Sequence, residues 1–286
     1  MFHLNESFSA HYRSTSTYEQ FDYHSHHEYE IYFFHAGSCR YLIHNQIYDL
    51  EPGDIILMDG LTLHKPNVYL PKEYIRSVLH FSPQSIQKVL AELGSPFLLD
   101  VFEGPSHRLI RTHENAQSQE LEFLIDKIDT TIQERAQNDQ LRKTELNVLL
   151  IQALIIVYQL SQTHQVPAMQ PKAFKDEYIE DIATYIQAHF MEKLSLNMIA
   201  NALNMSKSYV SHLFKDMTGF TVMEYVMGCR LTHAKYLLEM APDKKIEKVA
   251  YESGFESASH FSRYFRQKTG LTAKDYRRHR LNISAR

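Results

Sequence analysis

The sequence predicts a chain of two parts. Short β-strands form a sandwich or small barrel, and helices follow that end in an all-helical module carrying one helix-turn-helix unit twice. Three observations predict it. Residues 1–81 hold short alternating and apolar runs separated by turn residues. A 14-residue segment recurs at an offset of 51. The charge is split: residues 1–175 carry 14 Lys+Arg against 21 Asp+Glu, whereas residues 204–286 carry 15 against 8. The overall formal charge of −4 hides this asymmetry. A basic end behind an acidic body points to a polyanion-binding part with a separate partner part, although many plain domains also have one basic end. A length of 286 residues suits two domains, and 44% hydrophobic with 22% charged residues excludes extended disorder.

In chain order, EIYFF (30–34), RYLIH (40–44), DIILM (54–58) and SVLHF (77–81) read as strands. Ala36-Gly37-Ser38, Glu51-Pro52-Gly53-Asp54 and Lys65-Pro66-Asn67 supply turns between them. Residues 1–81 are thus the expected barrel and residues 82–165 a helical extension. In the extension Leu121, Leu124, Ile125, Ile128 and Ile132 recur at helical spacing, and so do Leu146, Leu149, Leu150, Ala153, Leu154, Val157 and Leu160. The second stretch is apolar on more than one face, through Val148, Ile151, Ile155 and Ile156. Such a helix packs against several neighbours, or against a second subunit through residues 114–162. Residues 166–175, in a stretch with two prolines and no apolar period, read as a linker, and residues 176–286 form the C-terminal module. No run of 18 purely apolar residues and no secretory leader is visible, and Cys39 and Cys229 have no metal-like spacing. These features lead us to expect free thiols, a cytoplasmic location and no membrane partner.

The repeat aligns Ser206–Gly219 with Ser257–Gly270, with Ser, Ser, Ser, Phe, Thr and Gly identical at six positions. One repeated unit needs one repeated explanation. Each copy reads as helix, tight turn, helix, over about 195–219 and about 245–270, joined by a helix over 221–240. Ser206 and Ser257 are N-cap residues, and Asn204-Met205 and Gly254 are the turns. Val210, Leu213, Phe214 and Met217, then Phe261, Tyr264 and Phe265, form buried stripes. The opposite faces hold Ser208, Ser211, His212 and Lys215, and Ser259, Ser262, Arg263 and Arg266. A DNA-reading helix needs such short or forked donors without carboxylates; an ordinary solvated face would usually include Glu. A 20-residue connecting helix spans about 30 Å, close to the ~34 Å between successive major-groove faces.

The pattern Ile246-x-x-Val249-Ala250-x-x-x-Gly254-Phe255-x-Ser257-x-Ser259-x-Phe261-x-Arg263-x-Phe265-Arg266-x-x-x-Gly270 resembles the second helix-turn-helix of the AraC/XylS family of bacterial transcription regulators. The resemblance covers residues 176–286. It implies binding to double-stranded DNA at operator half-sites. Ser208, Ser211, His212, Ala258, Ser259, Ser262 and Arg263 stand where family members contact DNA, and Arg263 is the strongest single candidate. Family members often carry a large aromatic or Arg in the first reading helix; Ser208 and His212 depart from that. The family also implies a homodimer and, for an activator, contact with RNA polymerase.

In the N-terminal part, His24-x-His26-x-x-x-Glu30-x-x-x-x-x-x-Gly37 resembles the first cupin motif, and Pro52-Gly53-Asp54 followed by His64 resembles a degraded second one, with Asp59 and Leu61 off pattern. The fold class implied is an N-terminal cupin-like β-barrel or jelly roll with appended dimerisation helices, ahead of a C-terminal all-α double helix-turn-helix. The favoured reading of His24, His26, Glu30, Tyr32, Phe34 and His64 is a pocket for a small-molecule effector, with a sugar among the candidates. Two alternatives remain open: a divalent metal held by His24, His26, Glu30 and His64, which would make a cupin enzyme fused to a DNA-binding module, and a ligand-independent DNA-binding protein. The expectation is a regulator without catalytic residues or cofactor.

Overall fold

The computed structural model describes residues 8–15, 28–43, 45–59, 64–68, 73–102, 108–113, 115–134, 139–163 and 174–284. The N-terminal part holds β1 (Phe8–Ser14), β2 (Tyr29–Ala36), β3 (Cys39–Ile43), β4 (Gln46–Asp49), β5 (Asp54–Met58), β6 (His64–Val68), β7 (Ile75–Phe81) and β8 (Arg108–Arg111). They form a five-stranded sheet ordered β1-β7-β2-β5-β8 and a three-stranded sheet ordered β4-β3-β6, with antiparallel pairing throughout. The large sheet therefore extends past residue 81, where the sequence reading ended the barrel. β8 is too short and too polar (Arg-Leu-Ile-Arg) to announce itself, yet it closes the edge beside β5.

Because successive side chains point to opposite faces of a strand, the large sheet divides its residues between two cores. Tyr32, Phe34, Ile56, Met58 and Val78 face inward and pack with Cys39, Tyr41 and Ile43 of β3, so the two sheets enclose the barrel interior. Ile31, Phe33, Ile55, Leu57, Leu79 and Phe81 face outward and are covered by helices. A sheet buried on both faces needs continuous apolar strands rather than alternation, and β5 is buried at every residue.

The covering layer comprises α1 (Pro83–Glu92), a 3-10 turn (Pro96–Leu99), α2 (Ala116–Gln133) and α3 (Asp139–Thr163). Asn115 caps α2 by accepting from the Ser118 N–H at 2.8 Å. By length and composition α3 alone, among the described residues, is apolar enough to cross a bilayer, and half of its most apolar window is buried inside the protein. Here Leu146, Leu149, Leu150, Ala153, Leu154 and Val157 fill the core beneath the sheet. Leu141, Val148 and Ile155 recur at every seventh residue and stay exposed, at 65%, 50% and 41%.

The C-terminal module holds α4 (Phe174–His189), α5 (Leu196–Ala202), α6 (Lys207–Thr218), α7 (Val222–Met240), α8 (Ile246–Glu252), α9 (Ala258–Thr269) and α10 (Ala273–Ser284). It has two cores. The first unites α4, α5 and α6 with Val222, Tyr225, Val226 and Cys229 of α7. The second unites α8, α9 and α10 with Leu231, Ala234 and Leu238 of the same helix. The small sheet of the barrel docks on the first unit. Leu42 and Ile47 enter its core, the Asn67 side-chain amide donates to the Asp216 carbonyl at 3.0 Å, and Asn45 donates to the Thr184 hydroxyl at 2.8 Å.

Asp54, which the sequence reading attached to a binding motif, has a structural role. Its fully buried carboxylate accepts from Arg111 Nε and Nη2, each at 3.0 Å, and from the Glu51 N–H at 2.8 Å. Burial pushes the carboxyl up from its ordinary range while the guanidinium pulls the other way. Arg111→Met leaves that charge buried without its partner and should cost about 3 kcal/mol. Denaturant unfolding at neutral pH checks this, and the loss should shrink in acid, where a protonated Asp54 needs no cation.

Candidate nucleic-acid interface and sensor pocket

The two helix-turn-helix units are built by the same local chemistry. In each turn the chain passes through the left-handed region, at Asn204 (φ 53°) and Gly254 (φ 82°). The next residue then donates back to the alanine at the helix crossing: Met205 N–H to the Ala200 carbonyl at 2.9 Å, and Phe255 N–H to the Ala250 carbonyl at 3.0 Å. The Ser206 hydroxyl accepts from the Tyr209 N–H and the Ser257 hydroxyl from the His260 N–H, both at 3.2 Å. A serine cap of this kind contributes about 1 kcal/mol. The second turn is one residue longer, with Glu256 inserted before the cap. That is why the helix crossings match at an offset of 50 and the reading helices at 51. Gly219 and Gly270 end α6 and α9 in the left-handed conformation.

The packing of α6 and α9 decides which faces they present. Val210, Leu213, Phe214 and Met217 are buried in one, Phe261 and Phe265 in the other. Ser208, His212 and Lys215 are exposed and Ser211 half-buried; Ser259, Ser262, Arg263 and Arg266 are exposed and Ala258 half-buried. All nine predicted residues thus lie on or beside accessible helix surface. On α9, Ser259, Ser262, Arg263 and Arg266 border a groove of about 720 Å³ that Thr272 and Lys274 at the start of α10 also line. Thr272 was not among the expected site residues; it caps α10 by accepting from the Asp275 N–H at 3.1 Å. The units differ in chemistry. The second offers two guanidinium forks, which suit guanine edges or phosphates. The first offers hydroxyls, Lys215 and His212, whose Nδ1 lies 2.7 Å from the Ser208 carbonyl. A carbonyl only accepts, so Nδ1 is the donor in that contact.

The barrel interior gathers Glu30, Tyr32, Phe34 and His64; His24 and His26 lie outside the described residues. His64 Nε2 of the small sheet stands 3.1 Å from Glu30 Oε2 of the large one. His80 Nε2 approaches the same oxygen at 3.2 Å. His80 was not predicted as a site residue, because its place opposite Glu30 comes from strand register, which the linear sequence does not display. Tyr41 packs between Tyr32 and His64, with ring centroids at 5.2 and 6.3 Å, and the Tyr32 and Tyr74 hydroxyls are 2.7 Å apart. Burial pushes the phenols of Tyr32 and Tyr41 far up and the Cys39 thiol up to about 12, so all three stay neutral. Among the described residues no group of three or more His, Cys, Asp or Glu is placed to hold a metal ion. The interior can therefore offer neutral hydroxyls, aromatic faces, one carboxylate flanked by imidazoles, and the buried guanidinium of Arg76, 4.9 Å from the Tyr74 ring centroid.

A sensor-type barrel ahead of a paired helix-turn-helix module is the class that this geometry defines. A model of the AraC-like ligand binding domain matches residues 9–150, and a helix-turn-helix domain model matches residues 199–279. The chain belongs to the AraC family of transcription regulators. It is 25% identical over 252 residues to the Msm operon regulatory protein of Streptococcus mutans, covering 87% of this chain and 84% of that one. It is 31% identical over 149 residues to an HTH-type transcriptional regulator of Staphylococcus aureus, and that match spans 51% of this chain but only 20% of the relative's length. Among solved structures, ToxT from Vibrio cholerae aligns over 96% of this chain and 99% of its own, with 17% identity and a TM-score of 0.38.

Proposed function

We propose that the chain is a sequence-specific DNA-binding transcription regulator whose N-terminal domain responds to a small-molecule effector. The observation that carries this reading is the pair of matching capped helices, α6 and α9, each presenting an accessible polar or basic face from a core that shares α7. Arg263 and Arg266 supply base or phosphate contacts from α9, with Ser259, Ser262 and Ala258 small enough to let the helix seat in the groove. Ser208, Ser211, His212 and Lys215 do the same from α6. Such a protein works where the DNA is, in the cytoplasm, and an activator would also meet RNA polymerase.

The effector site is the barrel interior around Glu30, Tyr32, Phe34 and His64, with Tyr41 and His80 added. Its hydroxyls, carboxylate and aromatic faces suit a small polar or sugar-like molecule better than an apolar one. A route to the DNA-binding part lies in β3. Tyr41 points into the barrel, and its neighbour Leu42 points out into the core of the first helix-turn-helix unit. Arg40, one residue further back, donates to Met217 Sδ of α6 at 2.8 Å and pairs with Asp49. A ligand that shifts β3 inside the barrel therefore changes the seating of α6, which is how differential binding at one site biases the other. Dimerisation has its own surface. Leu141, Val148 and Ile155 on α3, with Leu93 and Phe97 beside Ile155, form an exposed apolar band of the kind that a second copy covers.

A mobility-shift assay with genomic fragments tests the DNA reading. Salt-sensitive, sequence-dependent shifts are expected. Arg263→Ala should cost about 1–3 kcal/mol and relax preference at one position, while Lys215→Ala should weaken all sequences alike. Absence of any sequence-dependent shift at any protein concentration would overturn the reading. For the effector, a thermal-shift screen of sugars and aromatic acids should yield at least one ligand whose stabilisation is lost in Glu30→Gln; silence across the screen would favour a ligand-independent protein. For the dimer, sedimentation should show a two-chain species that Val148→Glu with Ile155→Glu reduces to one chain, and a monomer before substitution would contradict it.

A further inference from the structure

The two helix-turn-helix units share one helix, and its buried apolar residues divide between the two cores on either side of Arg230. Cys229 is the last buried apolar residue of α7 in the first core and Leu231 the first buried one in the second, while the half-buried Met227 already packs against the second. Arg230 stands between them, only 7% exposed. Its side chain does not join either apolar core. Nε donates to the Phe190 carbonyl at 2.7 Å and Nη2 to the Glu192 carbonyl at 2.8 Å, both in the corner that follows α4. Carbonyls just past a helix C-terminus have no helical partner, and a cation there is favoured by the helix dipole. The planar fork reaches both with little loss of freedom, which a flexible ammonium does not match.

The same corner receives the turn of the second unit. A Cβ on Gly254 would stand 2.6 Å from the Phe190 carbonyl oxygen, 2.8 Å from Met191 Cα and 3.0 Å from Arg230 Nε. The turn before α9 is thus pressed against the corner before α5, with the guanidinium between them. Phe190 also meets His233 of α7 edge-on, at 5.5 Å between centroids. Outside it, Lys193 of the first unit faces Glu256 of the second at 3.7 Å. Glu256 is the one-residue insertion that lengthens the second turn.

We propose that Arg230, seated on the α4 corner and against Gly254, is the joint that fixes the angle between the two reading helices, and is therefore a positioning residue for recognition of two DNA segments at once. The proposal rests on the DNA-binding reading above for its functional consequence, but its geometric half stands apart from it. Two units held in fixed relation bind a two-segment site with the second contact made at high effective concentration; a loosened joint forfeits that gain while leaving each single contact intact.

The test uses the full chain with spin labels on Asn201→Cys in α5 and Glu247→Cys in α8, both exposed, while native Cys39 and Cys229 are buried. The unsubstituted joint should give one narrow label-to-label distance. Arg230→Met should broaden it with the helical circular dichroism unchanged, and Arg230→Lys should restore it in part. Should Arg230→Met fail to fold, Gly254→Ala displaces the same contact from the other unit and should broaden the distance likewise. An unchanged narrow distance in a folded Arg230→Met or Gly254→Ala chain overturns the proposal. On a duplex selected by mobility shift, Arg230→Met should weaken binding to the intact site by about 10-fold or more, yet change binding by less than about 2-fold once one of the two segments is scrambled. Equal losses on both duplexes also overturn it. If the unsubstituted chain shifts no duplex, the regulator reading fails, and the label distances still decide the joint.

Discussion

The constraint on which the C-terminal half depends is that one helix must serve two cores. α7 gives Val222, Tyr225, Val226 and Cys229 to the first unit and Leu231, Ala234 and Leu238 to the second. Neither unit is large enough to bury its stripe alone, because each contributes only three short helices of its own. The shared helix therefore makes the two units one folded body, and at about 1.5 Å per residue its 19 residues set a separation of roughly 28 Å between their ends. The exposed polar faces of α6 and α9 follow from this packing. Once Phe214 and Phe265 are inward, residues on the other side of the helix must meet solvent or a partner.

A second shared element links the halves of the chain. β3 is buried on both faces, with Tyr41 in the barrel and Leu42 in the first unit. Consecutive residues of a strand point in opposite directions, so one backbone segment connects the sensor interior to a reading helix without any intervening loop. The second unit also comes near the barrel, where burial pushes the Glu28 carboxyl up and the Arg280 guanidinium of α10 acts against that by favouring its charged form.

Much of the C-terminal half was legible in the sequence because its signals are local. Ser206 and Ser257 as caps, the stripes at Val210–Met217 and Phe261–Phe265, and the turns at Asn204 and Gly254 all lie within a few residues of what they control. The barrel was legible in part. EIYFF, RYLIH, DIILM and SVLHF correspond to β2, β3, β5 and β7, whereas β1, β4 and β8 are short or carry polar residues, and Lys65-Pro66-Asn67, expected as a turn, lies inside β6 paired with β3. Register was illegible. Nothing in the chain order announces that His80 lies opposite Glu30, or that β8 returns to pair with β5 after an intervening helix. Nor does chain order announce that Asp54 pairs with Arg111, a residue 57 positions away in the sequence. Arg230 was likewise passed over, since a lone arginine in a helix becomes meaningful only when the carbonyls it reaches are known.

The measurement that bears most directly on the central claim is a hydroxyl-radical footprint of the full chain on a bound genomic fragment. Two major-groove segments contacted from one face of the duplex, with centres one helical turn of about 10–10.5 base pairs apart, are what paired reading helices on a shared α7 require. A single protected segment, or two on opposite faces, would contradict the account.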